Sequence, residues 1–444
     1  MKLSDYHIVS PPFFDKTLNT AKRVIFSART AQARTLDEAA WQFLETRRFH
    51  ELPSPMVDEL REIEFIVPKE EDELRLVLDR HDQAAHADPA LYLVVQPTAW
   101  CQLACDYCGQ SHTRRQLSPT HQARFIAEAQ EKLAAHPYRY LQVSWFGAEP
   151  LVGMSIIRRM TPQFQALAEQ FGVRYGSKIV TNGMLLRPDI ATELIQSLGV
   201  KHIEVTLDGV GEAHDARRPT KKGQHSFERI FANVAALAKR DDLEVELSIR
   251  CNVDRRNRDS ISPLLRRLAA EGVQRRVLFY VAPVHSWGND AHRESLTAEE
   301  FAQWELQWFA EMIELEFRLR VLPGLKKAVC MSVSPTSTLI DANGELFNCT
   351  EASYVPAYGN PNRYAIGAIA HGEQPGKREQ LSQFNTHIRQ GEYACHSCRM
   401  LPVCGGCCPK LWKEDISPCP MPKYNIENRL LLQYCLSRQQ QTAH

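Results

Sequence analysis

No run of apolar residues in this chain approaches the roughly 18–20 that a membrane-crossing helix needs, so no membrane partner is expected. The opening Met1-Lys2-Leu3-Ser4-Asp5-Tyr6-His7 is not followed by the apolar core of a signal peptide. A cytoplasmic location is therefore the expectation. Net charge is lacking too: 53 Lys and Arg balance 53 Asp and Glu. That balance gives no reason to expect nucleic acid or another polyanion as partner, and leaves room only for a local basic patch. Cysteine is absent from residues 1–85. Disulfides are not expected in a reducing compartment.

What is present is a clustered set of thiols. Of thirteen cysteines in 444 residues, three lie at 101–108 and eight between 330 and 419. Cys251 and Cys435 fall outside both groups, and Cys251 reads as a buried thiol without a role. Grouping of this kind indicates metal or cluster ligation. The length predicts two or three domains, and 44% hydrophobic residues is ordinary for a globular protein.

Three regions differ in pattern. In residues 1–85, Val24–Ser27 reads as a strand, 36–45 and 54–63 as helices, 64–68 as a strand, and charged 69–80 as a further helix. This is a small strand–helix–helix–strand unit. From about 90 to 320, strand runs at 91–96, 140–145, 178–181, 202–207, 244–251 and 276–281 alternate with helical stretches. The helical stretches are 119–135, 156–171, 188–198, 226–238, 260–271 and 297–316. Six βα units predict parallel strands with right-handed crossovers, the chemistry sitting at the strands' carboxyl ends. From about 325, loops and cysteine dominate, with little apolar periodicity for a core of their own.

The sequence Cys101-x3-Cys105-x2-Cys108 puts three thiolates on one short loop. Three such thiolates can hold three irons of a 4Fe–4S cubane, leaving the fourth without a protein ligand. Ferredoxin cubanes capped by four cysteines only carry electrons. Zinc is the alternative metal for such thiols. The spacing, with Tyr107 just before the third cysteine, resembles the radical S-adenosylmethionine (radical SAM) superfamily. There the open iron chelates the amino and carboxylate groups of S-adenosylmethionine.

Later motifs resemble the same family in the expected order. Phe146-Gly147-Ala148-Glu149-Pro150 is similar to its Gly-Gly-Glu-Pro motif, whose backbone meets the amino group of S-adenosylmethionine; Ala148 replaces the second glycine, which suits a negative φ there. Thr181-Asn182-Gly183 resembles an element lining the cofactor site. Thr206-Leu207-Asp208-Gly209 with His214-Asp215-Ala216-Arg217-Arg218 resembles a ribose- and carboxylate-binding pattern. The resemblance assigns these contacts to Thr206 and Arg218, with Arg217 as the competing residue. Arg250-Cys251-Asn252-Val253 resembles the family's Arg-x-Asn-Val element, which makes Asn252 a cofactor candidate. His285, Asp290, Tyr280, Asp341 and Glu351 are weak candidates for a catalytic base.

The second cysteine group reads Cys330-x13-Gly344-x4-Cys349, a gap, Cys395-x2-Cys398-x5-Cys404-x3-Cys408, a gap, and Cys419. This resembles the seven-cysteine SPASM signature, which implies two auxiliary 4Fe–4S clusters. By resemblance Cys395, Cys398, Cys404 and Cys419 form one. Cys330, Cys349 and Cys408 form the other, its fourth ligand open: Gly324 stands where relatives carry an extra cysteine, and Cys407 is a neighbouring thiol.

The fold class expected is therefore α/β: a partial (β/α)6 TIM-like barrel with a small N-terminal α+β unit and a C-terminal cysteine-rich iron–sulfur domain. The expected boundaries are 1–85, 86–322 and 323–444, the first unit being a candidate leader-peptide binder. The resemblance implies three 4Fe–4S clusters and S-adenosylmethionine as cofactors, a precursor peptide as substrate, and a reducing partner such as flavodoxin or ferredoxin. The expected activity is hydrogen abstraction by a 5′-deoxyadenosyl radical, forming a carbon–carbon or thioether crosslink in a ribosomally made peptide. The alternatives are a protein-directed maturase, such as one making formylglycine in a sulfatase, and a non-catalytic iron–sulfur electron carrier.

Overall fold

The computed structural model describes residues 1–326 and 328–442. The chain forms two compact units. One combines 1–87, 320–333 and 381–444; the other combines 88–319 and 334–380. These units do not follow three consecutive segments. The cysteine-rich region divides, and its larger part joins the N-terminal residues.

The first unit begins with short strands β1 (Lys2–Leu3), β2 (His7–Val9) and β3 (Phe13–Asp15). Longer strands β4 (Thr20–Ser27) and β5 (Gln32–Asp37) follow, and β6 (Ile66–Val67) pairs antiparallel with β1. Strand β4 is central, with β2, β3 and β5 all antiparallel to it. Its side chains alternate between faces, as a strand's must. Val24 and Phe26 enter one core and Ile25 another. The Ile25 core is built from the N-terminal residues alone, including Trp41, Leu44, Leu60 and Phe65. The Phe26 core is shared with Val77, Leu78, Phe384, Ile388, Leu401, Val403, Ile426 and Leu430. The cysteine-rich segment thus obtains from the chain's beginning the apolar surface it lacks. Arg389 adds ion pairs to Asp79 at 2.8 Å and Asp82 at 2.6 Å.

The strand–helix–helix–strand expectation for 1–85 is incomplete. Strands β1, β2 and β3 are two or three residues long, too short to show alternation. Residues 32–37 pair with β4, so the first helix starts at Glu38, after Asp37 in extended geometry. The charged helix spans Glu73–His86, later than expected. Asp72 caps it, accepting from the Arg75 N–H at 3.0 Å.

The second unit holds β7 (Ala90–Val95), β8 (Tyr140–Trp145), β9 (Arg174–Thr181), β10 (Val200–Thr206), β11 (Glu246–Val253) and β12 (Val277–Pro283). All six are parallel and lie in sequence order. The helices between them match the expected stretches; the last turn of the one starting at Pro188 is a π-helix, Glu193–Ser197. Beyond β7 the sheet continues with β13 (Thr338–Ile340), parallel to it, then antiparallel β14 (Glu345–Phe347), β15 (Gly367–Ala368) and β16 (Gly372–Glu373). Among the described residues β12 has no second partner strand, so the barrel is partial and open.

Register sets the site. Val95 lies opposite Trp145, Trp145 opposite Ile179, Thr181 opposite Val205, and Thr206 opposite Arg250. From β7 to β11 each strand ends within three residues of its neighbour's end, and the segments that follow them meet at one mouth.

Candidate active site

The loop after β7 is pinned from both sides. The Ala99 N–H donates to the Arg115 carbonyl at 2.9 Å, and the Ala104 N–H to the Pro219 carbonyl at 2.8 Å. Cys101, Cys105 and Cys108 line one cavity of about 220 Å³. All thirteen cysteines are free thiols. Burial pushes Cys101 up to about 12 and Cys105 to about 11. Thiols this desolvated ionise only against a strong partner, which a metal supplies. Donors already face the sulfur: the Leu103 N–H lies 3.4 Å and Asn182 Nδ2 3.6 Å from Cys101 Sγ.

The same cavity is lined by Gly147, Ala148, Thr181, Asn182, Thr206, Arg218 and Asn252. Gly147 has φ 79°, and a Cβ there would lie 2.4 Å from Gln96 Cδ, so this position admits only glycine. Ala148 corrects the expectation of negative φ. Its φ is 44°, in the left-handed region, and its N–H donates to Gln110 Oε1 at 3.2 Å.

Glu149 is fully buried and does not line the cavity. Its carboxylate accepts from the Leu151 N–H at 2.9 Å, Thr181 Oγ1 at 2.7 Å and the Asn182 N–H at 2.7 Å. It ties the turn after β8 to the turn after β9, and so positions Asn182 beside Cys101. Burial raises its pKa against these donors.

Arg217 and Arg218 separate clearly. Arg217 is buried on Asp254 at 2.6 Å, outside the cavity. Arg218 lines the cavity, donates to the Tyr107 hydroxyl and lies 3.6 Å from Asp208. Burial opposes its charge, yet Cys105, Tyr107 and Asp208 hold its pKa well above the ordinary value. Its Nε is buried without a partner. An unsatisfied guanidinium donor beside a cavity fits an incoming carboxylate.

Tyr107 was legible only as an aromatic in the cysteine loop. Its hydroxyl donates to Asp208 Oδ2 at 2.5 Å and accepts from Asn252 Nδ2 at 3.2 Å. Asp208 also accepts from the Asn252 N–H at 2.7 Å. Asn252 thus faces the cavity through a network that braces the cysteine loop. Sequence reasoning missed Glu204 and Arg250 as lining residues. Alternation back from Thr206 and Asn252 puts each on the inward face, which was the available signal.

The base candidates scatter. His285 and Glu351 line the cavity, and burial lowers the His285 pKa, with Arg250 adding to this. Tyr280, on β12, pairs in register with Arg250 of β11 and is 38% exposed, outside the lining. Asp290 pairs with Arg293 at 3.3 Å on the surface. Asp341 shapes the β13–β14 turn, accepting from the Asn343 and Glu345 N–H groups at 2.9 Å each; burial raises its pKa to about 7.

In the first unit Cys395, Cys398, Cys404 and Cys419 line one pocket with Met400, Trp412, Pro420 and Lys423. Lys423 Nζ lies 3.2 Å from Cys419 Sγ. Burial pushes Cys395 and Cys404 up to about 12. The remaining set divides: Cys330 and Cys408 belong to the first unit and Cys349 to the second. Among the described residues no three His, Cys, Asp or Glu side chains reach the spacing a single ion requires, as mononuclear zinc would. A cubane, with each thiolate on its own iron, holds its ligands further apart. Four thiols around one pocket and three around one cavity fit such groups in number and kind.

Residues 95–246 match the family model described as the Radical SAM superfamily. The chain is 28% identical over 209 residues to the GTP 3′,8-cyclase of a Synechococcus species, covering 44% of this chain and 57% of that protein. It is 28% identical over 140 residues to the serine-type anaerobic sulfatase-maturating enzyme of Klebsiella aerogenes, covering 31% of this chain and 34% of the relative. The curated relatives it matches are thus spanned over only 34–57% of their own lengths. Among solved structures, anSMEcpe with bound AdoMet superposes with TM-score 0.59 at 14% identity, over 79% of this chain and 98% of that one. Streptococcus suis SuiB bound to precursor peptide SuiA superposes with TM-score 0.50 at 14% identity, over 94% of this chain and 97% of that one. At these identities the likeness is one of fold. No helix among the described residues is long and apolar enough to cross a membrane.

Proposed function

We propose, from the match of residues 95–246 to the Radical SAM superfamily model, that the chain modifies a ribosomally made peptide by hydrogen abstraction, forming a carbon–carbon or thioether crosslink. The observation that carries the chemistry is one cavity lined by three cysteines together with Arg218, Thr206 and Asn182. When bound there, a reduced 4Fe–4S cluster with S-adenosylmethionine supplies a 5′-deoxyadenosyl radical.

The chain's own residues do the rest. Cys101, Cys105 and Cys108 would hold the cluster and leave one iron without a protein ligand. Arg218 takes the carboxylate of S-adenosylmethionine, and Thr206 pairs with the ribose. Gly147 and Ala148 offer their backbone to its amino group. Glu149 and the Tyr107–Asp208–Asn252 network hold these groups in place. His285 and Glu351, which line the cavity, are the candidate bases.

Two auxiliary clusters complete the proposal. One rests on Cys395, Cys398, Cys404 and Cys419; the sequence pattern calls for the other on Cys330, Cys349 and Cys408. When bound, they would supply an acceptor for the electron released when the product radical is oxidised. A groove of about 520 Å³ bounded by Lys22, Val24, Arg34, Thr35 and Tyr434 supports leader binding by the first unit.

A second reading has its own support. The sulfatase-maturating relative favours a protein-directed maturase that oxidises one Cys or Ser to formylglycine. A pure electron carrier has no use for a cavity with an unsatisfied arginine beside its cysteines. The deciding experiment co-expresses the chain with any short peptide encoded beside its gene, then applies tandem mass spectrometry. A bridge between two side chains supports the first reading, an aldehyde on one side chain the second. No 5′-deoxyadenosine under reducing conditions overturns both.

A further inference from the structure

The chain balances its charges overall, but not locally. Residues 107–127 contain no carboxylate, and neither do 216–227. These two stretches meet at the cysteine loop. Leu103 bridges Thr220, and the Lys221 N–H donates to the Gln102 carbonyl at 2.8 Å. Together they expose Arg114, Arg115, Lys221 and Lys222. None of the four makes an ion pair among the described residues, whereas neighbouring Arg217 and Arg256 are taken by Asp254. The flanking acids are committed too: Asp106 to Arg256 at 2.7 Å, and Asp215 to the Ser226 and Phe227 N–H groups at 2.7 and 2.8 Å.

Trp100, directly before Cys101, joins the patch. Its ring carries Lys221 Nζ at 3.8 Å and the Arg114 guanidinium carbon at 5.5 Å from the centroid. The four cations do not line the cavity, although their loops carry or touch the cysteines. A peptide substrate has to enter the cavity. An electron has only to arrive near the cysteines. A positive surface on the outer side of that loop, with an aromatic ring at its centre, serves the second need.

We propose that Arg114, Arg115, Lys221, Lys222 and Trp100 form the docking surface for an acidic one-electron carrier protein. The assignment rests on the iron–sulfur reading of Cys101, Cys105 and Cys108. In the step it serves, the carrier is oxidised by one electron and the 4Fe–4S group is reduced by one; no bond between heavy atoms forms or breaks. Complementary charge raises the encounter rate and orients the carrier, and it weakens as salt is added.

The test uses the reconstituted full chain, the variant R114E/R115E/K222E, and an acidic flavodoxin as probe. Binding is measured by surface plasmon resonance at low and high salt. 5′-Deoxyadenosine is measured with reduced flavodoxin and, separately, with dithionite. The expected result is flavodoxin affinity and flavodoxin-driven turnover lower by roughly tenfold or more, with dithionite-driven turnover unchanged. Salt should weaken the wild type and hardly affect the variant. Equal flavodoxin binding by wild type and variant overturns the proposal. So does unchanged flavodoxin binding with lost affinity for a glutamate-rich peptide, which would make the patch a peptide site. If neither protein cleaves S-adenosylmethionine with dithionite, the functional reading fails, while the binding arm still decides the surface. If the glutamate variant does not fold, R114Q/R115Q/K222Q carries the same comparison.

Discussion

Cys101, Cys105 and Cys108 open onto a cavity that also contains Arg218, Thr206, Asn182 and Glu204. Cys395, Cys398, Cys404 and Cys419 line a pocket whose other walls include Met400, Trp412 and Pro420. Each set includes a buried thiol, Cys101 in one and Cys395 in the other, that desolvation pushes up to about 12. What differs is the company. Three thiols among hydrogen-bonding groups leave room for a second ligand and its chemistry. Four thiols among mostly apolar walls, with Lys423 against Cys419, would satisfy a cluster completely and suit it to hold or pass an electron. Ligand count and surroundings, not the thiols themselves, divide the roles.

Replacing Cys101, Cys105 and Cys108 with Ala is the severest test of that division. Cleavage of S-adenosylmethionine should fall to background, measured as 5′-deoxyadenosine by chromatography. Iron should drop by about four atoms per chain while the remainder persists. Persistence is expected because Cys395, Cys398, Cys404 and Cys419 belong to the other compact unit. Turnover surviving this change, or loss of all iron, would erase the distinction between the sites.

Deleting residues 1–85 should damage the first unit alone. Tyr6, Ile8, Val24, Phe26, Val77 and Leu78 share a core with Phe384, Leu401 and Leu430. Removing them strips the apolar partner of the segment carrying Cys395, Cys398, Cys404 and Cys419. Expected outcomes are poor solubility and loss of the iron bound there, not a selective loss of peptide binding. A soluble truncation that keeps full iron and loses only affinity for a precursor peptide would make 1–85 an independent leader-binding unit after all.

That core also marks where the sequence stopped being legible. The six parallel strands and their helices were readable because each is long enough to show its period, and Pro119–Ala135 begins where Ser118 caps it. The cavity residues were readable because they follow strand ends in a fixed order. The union of residues 1–87 with 381–444 was not, since pairing between distant segments leaves no local pattern. Strands β1 to β3 were too short to alternate. Glu149 was readable as a motif residue, but its burial under three donors was not.

Within the cavity, Arg218→Ala and Arg217→Ala should separate binding from stability. Arg218→Ala should weaken S-adenosylmethionine binding by roughly ten- to a hundredfold, the worth of a charge-assisted pair of about 1.5–3 kcal/mol. Arg217→Ala leaves buried Asp254 with Arg256 alone. It should lower the melting temperature and leave the affinity of folded protein nearly unchanged. Calorimetric titration with S-adenosylmethionine and thermal unfolding read the two effects. Reversal of the pattern would mean that Arg217, not Arg218, serves the ligand.

The smallest expected effect lies at Ala148, where the cavity wall is built from a residue at φ 44°. A left-handed conformation costs an L-residue about 1–2 kcal/mol. Glycine adopts it without that strain, but the unfolded chain gains freedom worth about 0.4–1 kcal/mol. Ala148→Gly should therefore stabilise the protein by about 0–1.6 kcal/mol, a rise of at most about 3 °C in melting temperature. The N–H to Gln110 Oε1 is a backbone bond and survives the change, so the turn should keep its shape. Differential scanning calorimetry with and without S-adenosylmethionine reads both quantities. A clear destabilisation would mean that the Ala148 methyl packs usefully in the wall. The contrast between the hydrogen-bonding cavity and the mostly apolar pocket of the other unit would then lose one of its supports.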